Sequence, residues 1–177
     1  VIVSMVLIIG TLVVFQQIEY VQDRPVGYNR DGLIRISNDA DFNKIKTVIK
    51  EELLTAGVGG QVAFCSSPLT AVWDSQGGFA WKGKNPDAES NFSVTFVDDD
   101  YGKTIQWNVL QGRDSSRDFH TDFEAVIINR AAAKYLGFRN PVGEVITRET
   151  NNQQWQIIGV VDNVVAASPY EPVRPAF

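Results

Sequence analysis

Residues suited to metal and redox chemistry are scarce in this chain. It holds one cysteine (Cys65) and one histidine (His120) in 177 residues, whereas a structural zinc site takes about four Cys or His ligands. A single thiol cannot close an intramolecular disulfide. Basic residues are in the minority, 16 Lys and Arg against 21 Asp and Glu, for a net charge of −5. That balance argues against nucleic acid as a partner, because a phosphate backbone calls for a basic patch. Compositional extremes are missing as well: 44% hydrophobic and 21% charged residues are values of a folded chain rather than a disordered one. The length suits one domain or two small ones, able to bury roughly 70% of their surface.

Charge is missing from one place in particular. The first 18 residues, VIVSMVLIIGTLVVFQQI, carry none, and all 16 basic and 21 acidic residues come after them. Twelve of the first fifteen are Val, Ile, Leu, Met or Phe, interrupted by Ser4, Gly10 and Thr11. A membrane span needs roughly 20 apolar residues, so this run reads as the C-terminal part of a span begun upstream of Val1. A secretory signal fits worse, since no basic stretch precedes the run and QQIEYVQD stands where a small-residue cleavage site is required. A buried core helix is the alternative. Cytoplasmic flanks are enriched in Lys and Arg. Here residues 16–40 offer Arg24, Arg30 and Arg35 but no Lys, against Glu19, Asp23, Asp31 and Asp39. The chain beyond the apolar run is therefore expected on the non-cytoplasmic side.

Past that run the patterning is mixed. GYNRDG predicts a turn into a strand over residues 32–37, and NDAD offers caps for a helix. Phe42, Ile45, Ile49 and Leu53 recur at helical spacing, with Lys44, Lys46, Lys50 and Glu51 on the other face and Gly57 as a stop. VGGQVAFCSS reads as the next strand, completing a β–α–β opening. FSVTFVDDD alternates Phe92, Val94 and Phe96 against Ser93, Thr95 and Val97, as a half-buried strand ending in an acidic turn would. AVIINRAAAKYLG predicts a strand running into a helix capped by Asn129 and stopped at Gly137. NPVG turns the chain, EVIT and WQIIGVV are strands, and Pro169, Pro172 and Pro175 mark an irregular exit. Strands and helices interleave irregularly, so α+β is the expected class. The stretch after Ser66, with Trp73, Gly77, Gly78, Trp81 and Gly83, has the texture of an insertion.

No group of residues forms a catalytic, cofactor or metal constellation. GGFAWKGKN spaces Gly78, Gly83 and Lys84 like a phosphate-binding loop, but Asn85 and Pro86 replace the hydroxyl and the helix start. Gly102, Lys103 and Thr104 repeat the ending, with Val97 where the first glycine belongs. Asp98, Asp99 and Asp100 are consecutive, whereas calcium loops alternate their ligands, so a solvated turn is expected. Ser115, Ser116, His120 and Asp122 have the residue types of a hydrolase triad, yet no nucleophile elbow precedes a helix. Cys65, after VAF, reads as a small buried hydrophobe. Trp73, Trp81, Trp107 and Trp155 lie in or beside apparent strands and are assigned to core packing.

An ordered series of motifs nevertheless resembles a known family. The run MVLIIGTLVVFQQIEYVQDRPVGYNRDGLI is similar to the end of a transmembrane helix and the entry into the periplasmic domain of FtsX-like ABC transporter permeases. Gly112-Arg113, Asp122, AVIINRAAAKYLG, Asn140-Pro141-Val142-Gly143 and Ile158-Gly159-Val160-Val161 come in the order of the MacB-like periplasmic core domain. Phe119 comes later after Gly-Arg than the usual aromatic, and Arg130 stands where an acid commonly follows the Asn.

The resemblance implies an α+β fold in which both ends of the ectodomain build a porter-like α/β subdomain around an inserted mostly-β subdomain. Residues 1–23 would be the end of a transmembrane helix and stalk, residues 24–177 the periplasmic core domain, and residues about 66–125 the insertion. It implies no enzyme, cofactor or metal. The domain would couple ATP-driven motion to export or periplasmic mechanotransmission from the bacterial inner membrane. Its implied partners are the membrane, a cytoplasmic ABC ATPase subunit, a second permease copy in a dimer and a periplasmic adaptor protein. The alternative is a membrane-anchored extracytoplasmic ligand-binding sensor domain; an anchored hydrolase is a weaker third. Removal of residues 1–17 is expected to leave a soluble, monomeric domain, because apolar residues elsewhere are interspersed with charges. Gel filtration after expression without that segment checks this, and an insoluble product that still refolds only with detergent would contradict the anchor.

Overall fold

The computed structural model describes residues 2–23, 25–37, 42–57, 60–86, 89–166, 168 and 171–177. In chain order its elements are α1 (Ile2–Asp23), α2 (Phe42–Thr55), β1 (Ser75–Gln76), β2 (Phe79–Trp81), β3 (Phe92–Ser93), α3 (Tyr101–Ile105) and β4 (Val109–Gly112). A single 3₁₀ turn (Asp122–Glu124) then leads into β5 (Ala125–Asn129), α4 (Arg130–Leu136), β6 (Val145–Arg148) and β7 (Gln154–Val161). The α+β class is thus observed. The apolar run forms α1, and Ile2–Val21 is long and apolar enough to cross a membrane, with none of its apolar window buried.

β7 organises the sheet. Along one edge β5 lies parallel to it, from Ala125 opposite Gln156 to Asn129 opposite Val161. Its other partners divide the strand between them: antiparallel β6 takes Gln154, Trp155 and Gln156, and antiparallel β4 takes Gly159, Val160 and Val161. β2 extends the sheet outward from β6. The apolar content of IIGVV suits this position, since a strand paired on both edges and covered by packing carries few polar residues. Ile157, Val160, Ile128 and Ile146 join Ala132 and Leu136 of α4, and Phe79 and Phe92, in the buried core.

Asn129 holds the junction of β5 and α4. Its Oδ1 accepts from the Ala132 amide at 2.7 Å, capping the helix, and from the Ala176 amide at 3.1 Å. Its Nδ2 donates to the Arg174 carbonyl at 2.8 Å. Gly137 ends α4 at φ 74°, a left-handed position glycine adopts without penalty. The C-terminal segment strapped down by Asn129 also reaches β3: the Ser93 amide donates to the Pro175 carbonyl, and the Phe177 amide to the Ser93 carbonyl. Phe177 then packs against Phe79 and Phe92, with ring centroids 4.9 and 4.6 Å away.

Several sequence expectations are corrected. Residues 32–37 form no strand, and Ile34 is 84% exposed. Strand identity requires a neighbour to take the backbone hydrogen bonds, and no strand among the described residues pairs with this segment. Cys65, paired with Val97, is all that the expected second strand contributes among the described residues. Of the β–α–β opening only the helix is present, and its NDAD cap and residues 58–59 lie outside the described residues. The alternation of residues 92–97 also fails: Phe92, Ser93 and Val94 are all buried, while Phe96 is 64% exposed. Cys65 lies at the surface rather than in the core, although burial of its sulfur by neighbouring atoms still pushes the thiol up. Trp81 and Trp155 pack on the core as expected, but Trp73 lies outside it under the Arg35 guanidinium. The short helix α3 has no counterpart among the sequence expectations.

Asn129→Ala removes a helix cap worth about 1 kcal/mol and strands buried backbone groups at a further cost of about 1–3 kcal/mol. Urea unfolding should show this variant markedly destabilised. Asn129→Ser, which keeps a capping oxygen, should lose less. Equal stability of Asn129→Ala and wild type would contradict this account of the junction.

Candidate functional site

The chain leaving α1 is fastened to the end of β7. The Val165 amide donates to the Val26 carbonyl at 2.9 Å, and the Asn29 amide to the Ile105 carbonyl at 2.9 Å. Asn29 Nδ2 donates to Gln106 Oε1 at 3.0 Å. Gly27 sits at φ 85° against the Asn163 carbonyl oxygen, where a Cβ would collide. Asn163 in turn accepts from the Ala131 amide through Oδ1 at 2.9 Å, reaching the first turn of α4. Arg130 and Asp162 pair at 3.2 Å beside it, and the Asp162 amide donates to the Asn108 carbonyl. Four residues past β7 therefore join the helix exit, α4 and the link into β4. α1 ends at Asp23, and Pro25 and Gly27 follow before the chain meets Asn163.

The Gly-Arg motif makes a second fastening. Gly112, at φ 71°, lies against the Ile158 carbonyl and Gly159, and Gly159 lies against the Arg113 carbonyl, so neither position has room for a Cβ. Arg113 Nη1 and Nη2 donate to both oxygens of Asp122 at 2.7 and 2.6 Å. The guanidinium also stacks on Phe119, 3.9 Å from the ring centroid. Phe119, displaced in sequence, is thus returned to Arg113 in space. The Arg113 guanidinium, opposed by some desolvation and helped by the Ser116 amide, holds the Asp122 carboxyl below the usual range.

The acidic turn is not left to solvent. Lys50, expected on the polar face of α2, is buried and donates to Asp98 and Asp100 at 2.7 Å each. Arg117 adds a 2.6 Å contact to Asp100. Three consecutive carboxylates repel one another, so cations from separate segments are drawn to them. The bond from Lys50 holds the Asp100 carboxyl below its ordinary value. By contrast the apolar side of α2 is poorly covered, with Ile45 and Val48 about half exposed.

The sequence look-alikes are engaged in structural contacts. Lys84 donates to the Phe79 carbonyl at 2.7 Å and pairs with Glu149 at 3.0 Å. The Gly102–Thr104 stretch lies within α3. The Asp122 carboxylate is occupied by Arg113, Ser116 Oγ lies 3.0 Å from Asp118, and His120 is exposed. No group of three or more His, Cys, Asp or Glu among the described residues could hold a metal ion. Sequence reasoning missed one feature altogether. A cavity of about 770 Å³ is lined by Phe79, Trp155, Ile158 and Val161, by Ser67 and Ser93, and by Val94, Val164 and Val173 from stretches outside the regular elements.

The family model of the MacB-like periplasmic core domain matches residues 1–171. The chain belongs to this family. It is a periplasmic domain of an ABC transporter permease, and its apolar N-terminal helix is consistent with anchoring in a membrane. Among solved structures, it is similar to the periplasmic region of MacB from Actinobacillus actinomycetemcomitans, at 17% identity and TM-score 0.44, over 78% of this chain and 67% of that one. A domain of a putative permease protein from Porphyromonas gingivalis matches at 12% identity and TM-score 0.45, over 67% and 51% of the two chains. The extracellular domain of the noncanonic ABC-type transporter YknZ from Gram-positive bacteria matches at 17% and 0.39, over 64% and 60%. The chain spans only 51% and 60% of the latter two structures. No curated protein matches. The family assignment rests on the sequence match, not on these superpositions.

The lowered Asp122 pKa has a consequence for stability. Its contribution is complete above the unfolded-state value of about 3.9 and is lost as pH falls through the lower folded-state value. Asp122→Asn should therefore be clearly less stable than wild type in urea at neutral pH. The difference should shrink in acid below that window. A difference constant across the acid range would show that the pair contributes through shape rather than charge.

Proposed function

We propose that this domain couples movement of a membrane helix to a periplasmic event, as the extracytoplasmic part of a permease whose ATP is hydrolysed by a separate cytoplasmic subunit. The observation carrying this reading is the continuous path from α1 to the sheet. α1 runs unbroken through the polar residues Gln16, Gln17 and Glu19 to Asp23, and Val26, three residues further on, is bonded to Val165, four residues past β7. A helix transmits displacement because each turn is braced by the last, and the Val26–Val165 bond and the Gly27–Asn163 contact allow little play where it meets the sheet. Displacement at Asn163 would reach α4 and β4 together. Within this reading residues 24–177 act as one periplasmic core domain at the inner membrane, paired with a second permease copy and open to an adaptor protein. Residues 66–125 are its β-rich insertion, and their strands β2 and β4 hydrogen-bond into the same sheet as β6 and β7.

A proline within the stalk tests the coupling. Proline in a helix interior costs about 3 kcal/mol and kinks the helix, and Ile18 is half exposed, so the substitution removes little packing. In the full-length permease with its ATPase, Ile18→Pro should leave membrane insertion and ATP hydrolysis largely intact while export falls. Thr150→Pro, in the exposed turn before β7, should matter far less. Normal export by Ile18→Pro would overturn the stalk as transmitter.

A further inference from the structure

The cavity beside β7 has features that packing alone does not account for. Its lining runs along β7 from Trp155 to Val161, a length of about 20 Å at strand spacing, and its 770 Å³ lies within the range of small-molecule sites. Most of the lining is aliphatic or aromatic: Phe79, Val94, Val126, Trp155, Ile158 and Val161. An elongated apolar body fits that shape better than a compact polar one.

Two buried hydroxyls and one arginine interrupt the apolar wall. Ser67 and Ser93 are 3% and 7% exposed, both line the cavity, and neither hydroxyl has a hydrogen-bond partner. A buried hydroxyl without a partner costs about 1–3 kcal/mol, a cost that a bound polar atom would remove. Arg148 lines the cavity at its Trp155 end, where its amide donates to the Gln153 carbonyl. Its guanidinium stands 6.0 Å from the Phe79 ring centroid, and no carboxylate pairs with it among the described residues. Of the other lining arginines, Arg117 is held by Asp100 and Arg174 is exposed. Ser93 follows Phe92 in β3, so its hydroxyl leaves the strand on the face opposite the Phe92 ring.

We propose that this cavity binds a single-chain anionic amphiphile, its acyl-length apolar body lying along β7 and its carboxylate or phosphate head at Arg148. Guanidinium pairs favourably with both oxyanions, so a free fatty acid and a lysophospholipid share the required chemistry. The cavity lining reaches Ile105 and Val165 at the helix exit, but binding there does not require that α1 transmit motion.

The test uses the full chain in lipid nanodiscs, with a diazirine-bearing palmitate as photoprobe and adducts mapped by peptide mass spectrometry. Saturable labelling of peptides containing residues 93–97 and 153–161 is expected. Competition by palmitate should exceed that by its uncharged methyl ester about tenfold, the effect of losing one charge-assisted contact. Lysophosphatidate as competitor separates the two sources: greater potency assigns the head group to phosphate, lesser potency to carboxylate. Arg148→Ala should weaken labelling by a similar factor, and Arg148→Lys should restore most of it. Labelling confined to α1 would overturn the proposal. Equal competition by palmitate and its methyl ester, which needs no folded variant to interpret, would overturn the anionic head. ATP hydrolysis and export play no part in these measurements, so failure here leaves the coupling reading untouched, and failure of coupling leaves this one.

Discussion

The pairing of β7 on both edges is the constraint on which the other arrangements depend. β5 occupies one edge along most of its length, while β6 and β4 divide the other. Two strands can succeed one another along a single edge only if one stops where the next begins. The NPVG turn and β4's end at Gly112 set those limits. Glycine is required where the second strand turns away, because Gly112 and Gly159 bring backbone against backbone with no space for a side chain. A methyl group at either position would push β4 off the sheet and with it Arg113, whose guanidinium organises the loop back to β5 through Asp122 and Phe119.

The same strand explains why the helix exit is placed where it is. A chain emerging from a doubly paired strand has its backbone direction fixed, so residues 162–165 present a defined set of donors and acceptors. Val26, Ala131 and Asn108 all use them. The ion pairs nearby play different parts. Arg130–Asp162 is largely exposed and contributes little by itself, as surface pairs do. Lys50 with Asp98 and Asp100 is more deeply set and does what apolar packing does elsewhere, since it attaches α2, whose hydrophobic face is only partly covered. Around the cavity, irregular segments replace regular elements, and the result is a lined space with buried hydroxyls rather than a filled core.

Local signals carried much of this protein. The uncharged opening, the Asn cap and Gly stop around RAAAKYL, the NPVG turn and the strands EVIT and IIGVV are readable because each depends on neighbours within a few residues: periodicity, capping and turn geometry are short-range physics. The family resemblance drew on the order of those same signals. What failed depended on partners far away in sequence. Residues 32–37 have the composition of a strand, but no edge among the described residues pairs with them. Lys50 belongs to a polar helix face by spacing, yet is buried because Asp98 and Asp100 meet it from 48 and 50 residues away. Cys65 comes after an apolar stretch and still lies at the surface. The helix-exit contacts and the cavity leave no local trace, because Gly27 meets Asn163, and Arg148 meets Phe79, only after β7 has collected its three neighbours. Burial and contact are properties of the assembled sheet, and only the tertiary structure decided them.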